Sequence, residues 1–208
     1  KLWIIFTKYD ATLTEINSLI IDDENRAFAL DCKLIIDDNA LYRQREFAGF
    51  IDPAMVSFAQ TEARKFGHHL VRMDGEIAVV ANGQGLASAS IDALSSVGLK
   101  PALVLILDNN ATISSVAAAC QLIQDIPTVN AVFVNVFGSM IDCEQIAHGI
   151  LKAKTIAETD IPYVIRLKGT HAEEASRKLK LAHNIQVIND LQIGMDFLTK
   201  NFDEHAVA

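Results

Sequence analysis

Four groups of residues have types and spacing that suit chemistry. The first is "VVANGQGLAS" (79–88), where an apolar run ends at Asn82 and Gly83 and Gly85 precede a helical pattern. Gly83-x-Gly85-x-x-Ser88 is one glycine short of the dinucleotide fingerprint, and Asp108 ends the next apolar run, where a ribose-binding acid would stand. The same glycines serve a plain strand-to-helix turn equally well, because glycine enters positive φ without a Cβ clash. The second group is "LDNNAT" (107–112), in which Asn109 and Asn110 tolerate a left-handed turn and Thr112 can cap a helix. The third is "NVFGSMIDCE" (135–144), where Gly138 and Ser139 would offer backbone amides to an anion at a helix N-terminus. Asp142 can instead be the cap there, and it would then compete with the anion. The fourth is Glu15, Asn17 and Asp31. These three oxygen donors on adjacent strands suit Mg2+, which binds through one or two carboxylates plus phosphates and waters; they also suit a solvated hairpin face.

The elements that must position these residues follow from periodicity. From about residue 71, "EIAVVA" (76–81), "ALVLIL" (102–107), "AVFVNVF" (131–137), "IPYVIRL" (161–167) and "IQVI" (185–188) predict five strands. Amphipathic stretches between them predict helices over 85–98, 111–125, 143–158 and 171–182, with a last one ending near Asn201. Apolar strands without polar alternation are buried on both faces, so the sheet is parallel and helices cover both sides. The fold class is a doubly wound α/β domain with right-handed crossovers. Ligands of such sheets lie beyond the carboxyl ends of the strands. Here those ends are 82–85, 108–112, 138–142, 168–171 and Asn189, and three of the four groups fall among them.

The first fifty residues read differently. "TLTEINSLII" (12–21) alternates, with Glu15 and Asn17 on one face. "DDEN" (22–25) is a turn, and "RAFALDCKLI" (26–35) returns as the second strand of a β-hairpin with Asp31 on it. A hairpin alone is marginal in water and needs more sheet or a partner. The chain opens without Met on "KLWIIFTKYD", and reads as a fragment of a longer protein. The expected division is a hairpin piece over 1–50, a helical bridge over 51–70, and the α/β domain over 71–208.

Composition narrows the function classes. The chain has 208 residues, 50% of them hydrophobic, and a formal charge of −8, which repels nucleic-acid backbones. The one basic run, "ASRKLKLAH" (175–183), reads as the solvated face of a helix. No apolar run nears the roughly 20 residues of a membrane span. Three scattered cysteines, Cys32, Cys120 and Cys143, have no metal-ligand spacing and point to a reducing compartment. The six histidines show no nucleophile–base setting and read as surface or packing residues.

Several motifs together resemble the β subunit of succinyl-CoA synthetase, an NDP-forming acid–CoA ligase. "LTEINSLII", "LDCKL" and "DDNALYRQ" are similar to the end of its ATP-grasp domain. "LVRMDGEIAVVANGQGLASASIDAL", "VNAVFVNVFGSMIDCEQIAHGI" and "IPYVIRLKGTHAEEASRKL" are similar, in the same order, to its flavodoxin-like CoA-ligase domain. The resemblance implies that a carboxylic acid, CoA and ATP or GTP form an acyl-CoA. It implies a partner α subunit that holds the CoA site and carries the phosphoryl group on a histidine. By position, Asn17 and Asp31 match the Mg2+ ligands, and Glu15 matches the carboxylate that meets the mobile histidine. Asn82 matches a substrate-contacting asparagine, Ser139, Met140 and Ile141 the substrate loop, and Gly138 with Ser139 the helix start facing the phosphohistidine. Most of the nucleotide site would lie in a preceding part of the protein, so this chain alone is expected to be inactive. The resemblance places the protein in the cytoplasm or the mitochondrial matrix.

The departures point away from succinate itself. A Gly-Gly-Gly of the family is Asp108-Asn109-Asn110 here, a Gly-Gly is Gly138-Ser139, a proline is Ser18, and a basic position of the substrate loop is Asp142. These changes suit a divergent acyl-CoA ligase. They also suit a partner-binding module of the same fold that has lost its chemistry. A dinucleotide-binding domain built on Gly83, Gly85 and Asp108 is the third alternative.

Overall fold

The computed structural model describes residues 1–50, 57–138, 141–157 and 160–203. Two compact units divide the chain at Val56 and Ser57.

The first unit begins with α1 (Leu2–Lys8) and continues through β1 (Ala11–Glu15), β2 (Leu19–Ile21), β3 (Ala27–Ala29) and β4 (Lys33–Ile36), ending in two 3-10 turns, Asp38–Ala40 and Arg45–Phe50. The expected hairpin is present, but it is broken into two antiparallel ladders. β1 pairs with β4, setting Glu15 opposite Lys33, and β2 pairs with β3, setting Leu19 opposite Ala29. Between them the chain kinks, with a cis peptide between Asn17 and Ser18 and one bond from Leu30 N–H to the Ser18 carbonyl. Asp22 closes the tip by accepting from the Glu24 and Arg26 amides, and Asn25 takes the left-handed conformation that the "DDEN" turn requires. At the other end Arg43 grips Asp10 with two N–H groups at 2.7 and 2.9 Å, and Gln44 adds a third bond. These donors, Arg43 first, lower the Asp10 carboxyl to about 2.

The second unit opens with α2 (Phe58–Lys65), whose first turn is closed by a reciprocal Ser57–Gln60 capping box. β5 (His69–Arg72) follows, then β6 (Ile77–Ala81), α3 (Gln84–Ser96), β7 (Pro101–Ile106), α4 (Ile113–Gln124), β8 (Ala131–Gly138), α5 (Cys143–Ile156), β9 (Tyr163–Gly169), α6 (Ala172–Leu179), β10 (Ile185–Ile188) and α7 (Leu191–Asp203). The sheet order is β10-β9-β8-β6-β7-β5. Five strands are parallel, as expected, and β5 joins antiparallel at the edge, beside β7. The residues expected as a bridge thus contribute a helix and a strand to this unit. β5 escapes a sequence reading because only Leu70 of its four residues is buried, so it shows no apolar run.

Helices cover both faces. Ala63 of α2, Ala117 of α4, Ile146 of α5 and Ala175 of α6 share one buried cluster with Val80, Leu105 and Ile165. Ala87 and Leu94 of α3 and Met195 and Leu198 of α7 share the other with Val79, Phe133 and Val164. All five residues of β6 are buried, which is why that strand reads as an unbroken apolar run.

Candidate functional site

The strand order reverses between β6 and β8, so their carboxyl ends mark the topological switch point, where sheets of this class take their ligands. Asn82 stands at that point. Its Nδ2 donates to the Phe137 carbonyl and its Oδ1 accepts from the Phe137 amide, both at 2.8 Å. The side chain expected to meet a substrate therefore ties the end of β6 to β8. Gly83 caps α3 at φ +90°, a conformation that answers the turn reading of this glycine. Among the described residues no side chain bonds the first amides of α3, and a Cβ at Gly83 or Gly85 would meet nothing within 4 Å. Behind it, Asn135 donates to Ser90 Oγ and accepts from Arg166 Nη1, which holds a guanidinium in the layer under α3.

Gly138 ends β8; it does not start the next helix. Asp142 is the N-cap of α5, accepting from the Glu144 amide at 2.8 Å, so of the two sequence expectations for this turn the cap reading holds. Gly138 lies against the end of β9: its carbonyl accepts from Thr170 at 2.8 Å, and a Cβ on Gly169 would come within 2.3 Å of its oxygen. A Cβ on Gly138 itself would meet the Ile141 carbonyl at 2.7 Å and Cys143 Sγ at 2.8 Å. Bare backbone is needed on both strands here. Ile141 is buried, while Ser139 and Met140 lie outside the described residues.

Next to this turn, His171 Nδ1 lies 3.1 Å from Asp142 Oδ2, and His171 starts α6 in the left-handed conformation. Asp142 raises the imidazole above its ordinary range, by hydrogen bonding first and by charge second. Glu144 is paired with Lys178, whose Nζ also lies 3.1 Å from His148 Nε2. Asp142, Glu144 and His171 bring potential ligand atoms within 4.8 Å of one another, but Lys178 already neutralises Glu144. Burial first, then the Asp142 charge, push the Cys143 thiol up, and burial raises Cys120 to about 12, so the reactive thiolate is disfavoured at both.

Beyond β7, Asp108 accepts from the Asn110 amide and so builds a local turn, and Thr112 caps α4 in a reciprocal bond pair with Ser115. The Asp108 amide donates to Nδ1 of His68, a residue 1% exposed, which fixes the proton on Nε2. Burial keeps this imidazole below its ordinary range. His68 and His171 were missed in the sequence because their partners lie on other elements. The only available signal was that 168–171 is a strand-end loop.

In the first unit, Asn17 Nδ2 donates to Glu15 Oε1 at 3.1 Å. Asp31 holds the Cys32 amide with Oδ1. Among the described residues its Oδ2 makes no hydrogen bond. The structure brings Glu15 and Asn17 together and sets Asp31 in the return segment between β3 and β4. The donor set is all oxygen, as Mg2+ requires.

An α/β unit with a switch point between β6 and β8 and backbone-only strand ends defines the class, and comparison supplies the family. A profile of the CoA-ligase family matches residues 80–194, and the chain belongs to that family. It is similar to the β subunit of succinate–CoA ligase (ADP-forming), in keeping with the motif resemblance. The Campylobacter fetus subsp. fetus subunit is 37% identical over 196 residues, which is 93% of this chain and 51% of the relative. The Aquifex aeolicus subunit is 37% identical over 86% of this chain and 47% of its own length. The chain thus spans about half the length of these curated relatives. Among solved structures, Methanosaeta concilii ATP citrate lyase in complex with (3S)-citryl-CoA superposes with TM-score 0.74, covering 89% of this chain and 54% of that one. At 17% identity this is a likeness of fold.

Proposed function

We propose that this chain is the CoA-ligase portion of a β subunit in an NDP-forming acid–CoA ligase. A carboxylic acid, CoA and ATP or GTP are its substrates, and a phosphohistidine on a partner α subunit carries the phosphoryl group. The observation that supports this reading best is the switch point between β6 and β8, where α3 begins without a side-chain cap among the described residues and Gly138 and Gly169 approach backbone to backbone. Helix N-terminal amides favour the anions such a reaction handles. In this reading Asn82 is a positioning residue that fixes the end of β6 against β8, since both its polar atoms are engaged with Phe137. Ser139, Met140 and Ile141 form the substrate loop, and Gly138 with Ser139 faces the phosphohistidine. Asn17 and Asp31 would hold Mg2+, which when bound neutralises nucleotide phosphates, and Glu15 meets the mobile histidine.

One observation favours the second reading, a partner-binding module without catalysis. The N-terminus of α5 is capped by a carboxylate, Asp142, where an incoming phosphoryl group would need free amides. A single experiment separates the two. The complete β chain is co-purified with its α partner and offered a panel of mono- and dicarboxylates with CoA, Mg2+ and ATP or GTP. Acyl-CoA formation with any acid supports the ligase. A complex that assembles, survives Glu15→Ala and Asn82→Ala, and turns over no acid supports the module and overturns the ligase.

A further inference from the structure

A polar groove lies at the carboxyl edge of the sheet, away from the switch point. It has a volume of about 580 Å3 and runs beneath α6 at the ends of β9 and β10. Lys168, Glu173, Ser176, Arg177, Lys180 and Asn189 supply its polar lining. Residues 173, 176, 177 and 180 recur at the spacing of one helix face, opposite the buried Ala175 and Leu179. The basic run 175–183, which reads in sequence as one solvated face, is divided by the fold. Lys178 turns to Glu144 and His148, while Arg177 and Lys180 line the groove. Lys168, Arg177 and Lys180 line it with one carboxylate, Glu173, and Arg177 is paired with Glu174, so a local positive excess remains on a chain whose formal charge is −8. Arg177 contacts Glu174 with a side chain that is 72% exposed. Among the described residues, Lys168 and Lys180 have no side-chain partner.

We propose that this groove binds a small anion bearing a diphosphate. A diphosphate presents several oxygens and a charge of about −3 to Lys168, Arg177 and Lys180, so it can reach both unpartnered lysines at once, where a lone carboxylate offers a single charge. Ser176 and Asn189 add neutral donors. The volume lies within the range of about 300–1,000 Å3 typical of small-ligand sites. The groove sits at the carboxyl edge, where sheets of this class take their ligands. Free pyrophosphate and a nucleoside diphosphate share this chemistry. The inference does not depend on the acid–CoA ligase reading.

Calorimetric titration of the 208-residue chain at low ionic strength tests it, with inorganic pyrophosphate as the first probe and ADP as the second. The expected result is saturable 1:1 binding of pyrophosphate, about tenfold weaker in Lys168→Ala and again in Lys168→Ala/Lys180→Ala. Added salt should weaken it further. Ser176→Glu, which adds an anion to the groove without removing a lysine, should abolish binding. ADP binding at least as tight as pyrophosphate identifies a nucleoside diphosphate, and pyrophosphate binding without ADP binding identifies the free diphosphate. The proposal is overturned if pyrophosphate shows no saturable binding. It is equally overturned if the double variant binds as well as the parent, or if Lys65→Ala/Lys152→Ala, outside the groove, weakens binding as much.

Discussion

Asn82→Ala removes both hydrogen bonds that tie β6 to β8 at the switch point. Each neutral bond contributes about 0.5–1.5 kcal/mol net. Asn82 is only half-buried, and water can reach the freed Phe137 groups, so the lower part of the summed range applies, about 1–2 kcal/mol. For a unit of this size that lowers Tm by about 2–8 °C. Asn82→Asp sharpens the test. Its carboxylate can still accept from the Phe137 amide, but its second oxygen faces the Phe137 carbonyl, where a donor is needed. That repulsion raises the carboxyl's folded pKa above its ordinary value, near 3.9. A raised folded pKa gives stability that is present at low pH and lost as pH rises through the folded value. The aspartate variant should therefore approach the parent near pH 4 and fall to the alanine variant's level at neutral pH. Urea unfolding followed by circular dichroism at both pH values measures this. An Asn82→Ala midpoint equal to the parent's would refute the bridging role, and a pH-independent Asn82→Asp midpoint would refute the assignment of donor and acceptor.

Two further outcomes follow from the same edge of the sheet. Gly83→Ala and Gly169→Ala both force a side chain into positive φ, but only Gly169 has backbone 2.3 Å from the new Cβ. Urea midpoints should show a loss of about 1–2 kcal/mol at Gly83 and about 3 kcal/mol or more at Gly169; equal losses would contradict the close-approach argument. Asp142→Ala should cost about 1 kcal/mol as a lost helix cap. It should also return the His171 imidazole toward its ordinary titration range, as read by NMR. The His171–Asp142 pair stabilises below the ordinary imidazole pKa and fades as pH rises through the raised one, so a His171 titration unmoved by Asp142→Ala would sink the pairing.

The sequence alone determined what depends on neighbours in the chain. Unbroken apolar runs placed the five parallel strands, because strands buried on both faces show no alternation. Thr112 and Asp142 could be read as caps because capping acts over three residues. The strand-end rule singled out the loops at the switch point, and collinear motifs named the family before any geometry was known. Tertiary structure decided which of those loops meet. Asn82 and Phe137 are 55 positions apart, and only the crossover that sets β6 beside β8 turns a candidate substrate ligand into the clamp between two strands. His171 reads as a surface residue until the approach of Gly138 and Gly169 lays one turn beside the next and delivers Asp142 to it. The four residues of β5, with one inward side chain, become a strand only because the edge of β7 offers an unpaired ladder. Local periodicity fixes elements over a few residues. A side chain's partner is fixed by strand order and close backbone approach, which arise only when the whole sheet has formed.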